Sequence, residues 1–291
     1  MNLMLLYRGP LASCNYDCPY CPFAKRRDST EQLRQDRQAL ARFRDWVSRN
    51  PDGHRLSILF TPWGEGLTRS WYKETLVALS FLEHVQRVAI QTNLAGRLTW
   101  VQRADPTRLA LWATYHPGQV RRERFLAACE TLRSHGIRHS VGIVGLQEHY
   151  PEALALRQAL PAETYLWVNA AEGHSYDAEA EARWTAIDPL FGYSVRPHAS
   201  LGHECWAGET ALSVIGDGTV RRCHFIPESI GNLYDGSYLD GLRPRPCTLR
   251  ECDCHIGYVH LKHLGLHQVF AGGVLERIPL RSASAASIPA R

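Results

Sequence analysis

The sequence predicts an α/β chain built on a parallel sheet or barrel, and three observations carry that prediction. Short apolar runs alternate with amphipathic stretches six times over roughly the first 170 of the 291 residues. The chain's unusual local sequences fall just after those runs, where parallel folds place their chemistry. Nine cysteines are grouped as three, one and five rather than spread evenly.

The predicted strands are Leu3 to Tyr7, Leu56 to Phe60, Val85 to Thr92, Leu109 to Tyr115, His139 to Val144 and Tyr165 to Val168. Leu33, Leu40, Phe43 and Val47 share one face of a helix that Asp28 or Ser29 can cap. Phe125, Cys129 and Leu132 repeat that stripe, which makes Cys129 core, and His135-Gly136 ends the helix. Periodicity alone leaves a partial barrel and an open doubly wound sheet as alternatives. From about Glu172 the rhythm breaks. An acidic helix (Asp177 to Ile187) leads to a cysteine-rich region in which Ala211 to Ile215 and Thr219 to Arg222 read as a hairpin around Gly216-Asp217-Gly218. A short helix is expected from Tyr258 to Phe270, and Ser282 to Arg291 reads as a frayed end.

Composition narrows the class. A chain 45% hydrophobic and 21% charged is neither disordered nor collagen-like. A net charge of +4 is mild and gives no argument for nucleic acid or an anionic membrane as partner. The N-terminal apolar run is too short to span a bilayer and lacks the basic start of a signal peptide, so the expected location is cytoplasmic. Cysteine clusters in such a chain are read as metal or redox sites before disulfides.

Cys14, Cys18 and Cys21 form C-x3-C-x2-C with Tyr20 before the last thiol. Soft thiolates suit iron or zinc, and three ligands leave one metal position open. This stretch resembles the signature of the radical S-adenosylmethionine (radical SAM) superfamily. The resemblance implies a partial (β/α)6 TIM-like barrel over residues 1–172 and a [4Fe-4S] cluster held by Cys14, Cys18 and Cys21. Its open iron would chelate S-adenosylmethionine, whose reductive cleavage yields a 5′-deoxyadenosyl radical that abstracts a hydrogen atom.

Three further stretches extend the resemblance. Trp63-Gly64-Glu65-Gly66 is similar to the family's Gly-Gly-Glu-Pro motif, which implies that Gly64 and Glu65 meet the methionyl amine; Trp63 and Gly66 depart from the pattern. Thr92-Asn93 is similar to the pair that follows the family's third strand. Val141 to Glu148 is similar to G-x-I-x-G-x-x-E, with Ile143, Gly145 and Glu148 matching and Val141 replacing the first glycine. Together with Tyr20 and Asn169, which ends the sixth run, these are the expected cofactor-binding residues.

Cys205 and Cys223 read C-x12-G-x4-C around the hairpin, and Ile230-Gly231-Asn232-Leu233 follows. This resembles the SPASM extension, or its shorter twitch form, and implies one auxiliary [4Fe-4S] cluster in residues 205–270, after a connecting segment 173–204 and before a tail 271–291. Cys205, Cys223 and Cys247 are the expected ligands, with either Cys252 or Cys254; the closing Cys247-x4-Cys252-x-Cys254 departs from the full pattern. His255 reads as packing, and His260, His263 and His267 as a solvated helix face.

If Leu166 and Val168 face the helices, Tyr165, Trp167 and Asn169 face inward, as do Trp112 and Thr114 opposite Leu111 and Ala113. Lys25-Arg26-Arg27 is a basic patch on which an external electron donor of flavodoxin or ferredoxin type can dock. The expected activity is that of an oxidoreductase or maturase acting on a small molecule or a peptide. A strand beginning at residue 2 or 3 argues against a leader-peptide-binding domain before it. The competing readings are a zinc-stabilised binding protein and a thiol-disulfide redox protein using Cys18-Pro19-Tyr20-Cys21.

Overall fold

The computed structural model describes residues 1–23 and 26–280. The frayed end expected for 282–291 and Lys25 of the basic patch lie outside the described residues.

Six strands form the frame: β1 (Asn2–Arg8), β2 (Arg55–Phe60), β3 (Val85–Thr92), β4 (Leu109–Thr114), β5 (Arg138–Val144) and β6 (Leu166–Asn169). They pair in sequential order and all in parallel. The order never reverses, so the sheet has no switch point and is not doubly wound. Helices α1 (Thr30–Arg49), α2 (Ser70–Ser80), α3 (Arg122–Ser134) and α4 (Tyr150–Ala159) supply crossovers, and α5 (Ala178–Thr185) follows β6. Between β3 and β4 a 3-10 turn, Thr99–Arg103, replaces the expected helix. Leu94 (φ 58°), Gly96 (φ 82°) and Pro106 leave that segment too little uninterrupted helical backbone.

Alternation along the strands sorts their side chains into two cores. Leu5, Tyr7, Ile58, Phe60, Val88, Ile90, Leu111, Ala113, Ile143, Leu166 and Val168 pack with the helices. Leu6, Leu59, Ala89, Ala110, Trp112 and Trp167 point the other way and meet Ile256 and Leu275 from the C-terminal segment. The expected facing of Trp112 and Trp167 away from the helices is therefore observed. Gly142 makes room for the second tryptophan: a Cβ there would lie 2.0 Å from the Trp167 ring.

The first helix shows how local chemistry sets the elements. Ser29 caps α1 in a capping box with Gln32, and Asn50 ends it in the left-handed conformation (φ 43°). Its stripe of Leu40, Phe43, Trp46 and Val47 is buried, each such side chain contributing about 1.5–3 kcal/mol.

The hairpin Ala211–Ile215 and Thr219–Arg221 forms as expected but does not stand apart. Its first strand pairs in parallel with β1, Met4 opposite Ala211 and Arg8 opposite Ile215, and Ser229–Asn232 completes a nine-stranded sheet. The helix expected over Tyr258 to Phe270 is broken. It comprises His255–Tyr258, a 3-10 turn Lys262–Leu264 and Leu266–Phe270, interrupted by Gly265 at φ 63°. The three histidines consequently share no solvated face. His260 is 4% exposed and lies 3.0 Å from His267 through their ring nitrogens. Among the described residues no helix is long and apolar enough to cross a membrane.

Candidate functional site

The loop carrying the first three cysteines leaves the end of β1 and is fastened on both sides. Asp28 accepts hydrogen bonds from the Ala12 and Ser13 N–H groups (2.9 and 2.7 Å) and from the Ser13 hydroxyl (2.8 Å). Asp36 of α1, fully buried, accepts from Leu11 N–H, Trp71 Nε1 and the Tyr72 hydroxyl. From the β2 side, Gly64 N–H donates to Leu11 O (3.2 Å) and Glu65 N–H to Ser13 O (3.0 Å). The chains touch so closely that a Cβ on Gly64 would lie 2.0 Å from Ser13 O. Glycine is required there.

Glu65 joins the ends of β2 and β3. Its carboxylate accepts from Leu67 N–H (2.8 Å), Thr92 Oγ1 (2.8 Å) and Asn93 N–H (2.6 Å). Burial pushes its pKa up, and those bonds pull it back. Asn93 then reaches the cysteine loop through Nδ2, 3.0 Å from Asn15 Oδ1 and 3.7 Å from Cys14 Sγ. Its Oδ1 is buried without a hydrogen-bond partner.

Cys14 and Cys21 are half-buried and Cys18 is buried, with Cys21 N–H bonded to Cys18 O at 3.1 Å. Burial raises the Cys14 thiol, partly offset by the Tyr16 N–H on its sulfur. No described residue between 14 and 29 is helical, so Cys18 lacks the helix N-terminus that a reactive dithiol uses to lower its pKa. Tyr20 is held by two histidines from the ends of β4 and β5: its hydroxyl is 3.1 Å from His116 Nδ1, and its ring meets His149 edge-on at 5.1 Å.

The segment after β5 is placed differently from the loops. Ile143 lies in the helix-side core, and Glu148 is exposed on the 3-10 turn Gln147–His149. Gly145 and Asn169 meet at the strand ends, Gly145 N–H donating to Asn169 O at 2.8 Å. A cleft of about 630 Å³ between residues 93–102 and α3 is lined from the cysteine loop by Asn15 and Tyr16, and from outside it by Asn93 and Gln119, which bond that loop.

The five C-terminal cysteines gather from separate pieces. Two-residue ladders pair Glu204–Cys205 with Arg245–Pro246 and His198–Ala199 with Glu251–Cys252, while Cys247 N–H bonds His203 O at 2.8 Å. Burial, then the Cys223, Cys254, Cys205 and Cys247 thiols in that order, raise the Cys252 pKa, so all five share one electrostatic environment. Cys205, Cys223 and Cys252 pack in one cluster, whereas Cys254 packs on the inner-face core with Trp112 and Trp167. No pair of described cysteines is disulfide-linked. Among the described residues no group of three or more His, Cys, Asp or Glu side chains is drawn together closely enough to hold a metal ion.

Arg8 bridges the two regions. It donates to Thr61 O at 2.9 Å and lies 4.0 Å from the Trp63 ring centre; burial lowers its pKa to about 10, against a smaller upward pull from Cys254 and Cys223. Sequence reasoning passed over Arg8 and Asp36, and read Asp28 only as a cap. Their partners are distant in the chain, and only the position of Arg8 at a strand end signalled a role.

His116 and His260 give the fold a pH dependence. Burial lowers their pKa values to about 4 and about 3, His149 adding to the effect on His116 and His267 to that on His260. In the unfolded chain both titrate near ~6.5. As pH falls below that value the unfolded state gains protons that the fold refuses, and the stability present above it is lost. At pH 5.0 the loss is expected to be about 2 kcal/mol per histidine. Thermal midpoints at pH 7.5 and 5.0 check this, and His260→Gln should remove its share of the slope.

No protein-family model and no curated protein matches the chain. Among solved structures it is similar to native anSMEcpe with bound AdoMet and Cp18Cys peptide, with a TM-score of 0.55 at 14% identity over 83% of this chain and 80% of that one. Native anSMEcpe with bound AdoMet gives a TM-score of 0.53 at 14% identity, over 82% and 80%. At that identity the likeness establishes a shared fold.

Proposed function

We propose that the protein is a radical SAM enzyme on a partial (β/α)6 barrel, with one auxiliary [4Fe-4S] cluster in a twitch-like C-terminal part. The observation that carries the reading is the meeting of three stretches far apart in sequence. The Cys14-Cys18-Cys21 loop, Gly64-Glu65 and Thr92-Asn93 are joined by hydrogen bonds at the ends of β1, β2 and β3. The likeness in fold to anSMEcpe, a radical SAM enzyme, supports it.

The residues fit the groups the reading requires. Three thiols lie on one short loop, and the unpartnered Asn93 Oδ1 is an acceptor suited to an ammonium or hydroxyl of S-adenosylmethionine. When bound, the cluster supplies the electron that cleaves S-adenosylmethionine and so generates the hydrogen-abstracting radical. Glu65 holds the two cofactor loops in register, and its remaining lone pair is the one left for the methionyl ammonium. Tyr20, Gly145 and Asn169 border the adenosyl side, with Ile143 acting through the backbone it supports. For the auxiliary cluster, packing favours Cys205, Cys223 and Cys252 as ligands, with Cys254 turned to the inner face; Cys247 is the fourth on sequence pattern alone. The electron donor is an external protein of flavodoxin or ferredoxin type, and exposed Phe23, Trp63, Arg26 and Arg27 are the surface offered to it.

The test is anaerobic reconstitution with iron and sulfide, then dithionite and S-adenosylmethionine. The wild type should form 5′-deoxyadenosine and Cys18→Ala should fall to background, while keeping the iron of the auxiliary site. A wild type that takes up zinc, shows no visible iron–sulfur absorbance and forms no product overturns the reading.

A further inference from the structure

On the face of the sheet opposite the helices, two buried polar side chains meet the same indole. Arg277 is 2% exposed, and its guanidinium carbon lies 4.6 Å from the Trp167 ring centre and 5.7 Å from that of Trp112. His255, 5% exposed, meets Trp112 edge-on at 5.2 Å. Neither is satisfied by the chain. Among the described residues the guanidinium, with five N–H donors, gives one hydrogen bond, to Asn169 Oδ1 at 3.4 Å. His255 Nε2 has no partner, while Nδ1 lies 3.3 Å from the Tyr258 hydroxyl.

The carboxylates nearby have partners elsewhere, although the buried Oε2 of Glu276 is left without a hydrogen bond. Asp188, fully buried, accepts from the Tyr165 hydroxyl and from Val168 and Leu190 N–H (2.8 and 2.9 Å). Glu276 is engaged by Arg138 at 2.9 Å and Arg87 at 3.6 Å. Arg277 is close enough to Asp188 to pull that buried carboxyl's pKa back down, but no ion pair within 4.0 Å joins Arg277 to a described carboxylate. The unused donors of Arg277 keep some access to solvent and so stay open to a ligand, whereas His255 Nε2 is buried without a partner. The direction of Arg277 matters as well: Asn169 is the last residue of β6, so the guanidinium reaches the strand ends from which the cysteine loop also rises.

We propose that Arg277 and His255 form a substrate subsite that takes an anionic oxygen group, a carboxylate or a phosphate, with the body of the substrate against Trp112 and Trp167. Guanidinium matches either anion with two parallel N–H···O bonds, and the indoles exclude water from them. The proposal rests on the radical SAM reading for calling the occupant a substrate.

The experiment titrates the anaerobically purified full chain with acetate, inorganic phosphate and, as a neutral control, acetamide at constant ionic strength, following tryptophan fluorescence. One of the two anions should give a saturable change that acetamide does not, and the responding arm identifies the group. Arg277→Gln should weaken that binding about 10- to 100-fold. Arg277→Lys, which keeps the charge but loses the fork, should fall between, and it carries the test if the glutamine variant does not fold. No saturable change with either anion, or equal affinity in wild type and both variants, overturns the proposal. 5′-Deoxyadenosine formation without added substrate is measured in parallel. Its absence from the wild type defeats the radical reading but leaves anion binding at Arg277 standing, whereas its presence without anion binding defeats the subsite alone.

Discussion

On the proposed radical SAM reading, Gly64→Ala should prevent cluster loading at Cys14, Cys18 and Cys21 and bring 5′-deoxyadenosine formation to background. The added Cβ would lie 2.0 Å from Ser13 O, 2.5 Å from Ser13 C and 2.8 Å from Ala12 C. These are backbone atoms, so no rotamer change relieves the clash. The cysteine loop must move, and its hydrogen bonds to Gly64 and Glu65 go with it. Overpacking of this kind costs about 1–3 kcal/mol, but the larger effect falls on chemistry, because the thiols shift with the loop. Iron per chain, visible absorbance and product formation read it together. Gly272→Ala, where an added Cβ meets nothing within 4 Å, is the control expected to leave all three unchanged. A Gly64→Ala protein with full iron and activity would show that the loop tolerates displacement.

The largest loss of stability is expected at the other end of the chain, from Glu276→Ala. This carboxylate is 0% exposed and holds Arg138 and Arg87 at the foot of β5 and β3, while its backbone oxygen accepts from the Ser140 hydroxyl at 2.6 Å. Ser140 in turn accepts from Trp167 Nε1 at 3.0 Å. Removing it leaves two arginines facing a cavity. Breaking a buried ion pair from one side costs about 3–5 kcal/mol, and the partial exposure of Arg138 puts the value near the lower figure. For a chain of this size that lowers the thermal midpoint by about 6–12 °C. Glu276→Gln, which keeps the shape, should lose about half as much. A midpoint unchanged in both variants would mean that the C-terminal segment is not anchored there.

The strands were legible in the sequence because apolar runs bounded by turn residues are local signals. β3 agrees end to end, β2, β4 and β5 differ by one residue at one end, and β1 and β6 by one residue at each end. Sheet order was not legible, since periodicity says nothing about which strand neighbours which. The same limit hid the pairing of Ala211–Ile215 with β1. The segment Tyr258 to Phe270 misled because its histidines recur at helical spacing, while Gly265 at φ 63° breaks the helix and tertiary packing buries His260.

At the candidate site, cysteine spacing was readable because several ligands on one loop must lie close in sequence. Glu65, Thr92 and Asn93 were reached only through family resemblance, and the structure adds the bonds that join them. Asp28, Asp36 and Arg8 act on partners that folding alone brings near. Arg277 carried no signal, for an arginine in a terminal segment reads as a solvated charge until its burial against Trp112 and Trp167 is seen.

The parallel pairing of Met4 with Ala211 also bears on how the molecule is made. β1 is the fourth of nine strands, so it is interior on both edges. Yet one of its neighbours is synthesised about 200 residues after it, and such distant closure slows folding. Until then that edge of β1 presents a bare row of N–H and C=O groups, a template for pairing with other chains. Docking of the hairpin closes that edge only late in synthesis, which leaves it open to mispairing in the interval.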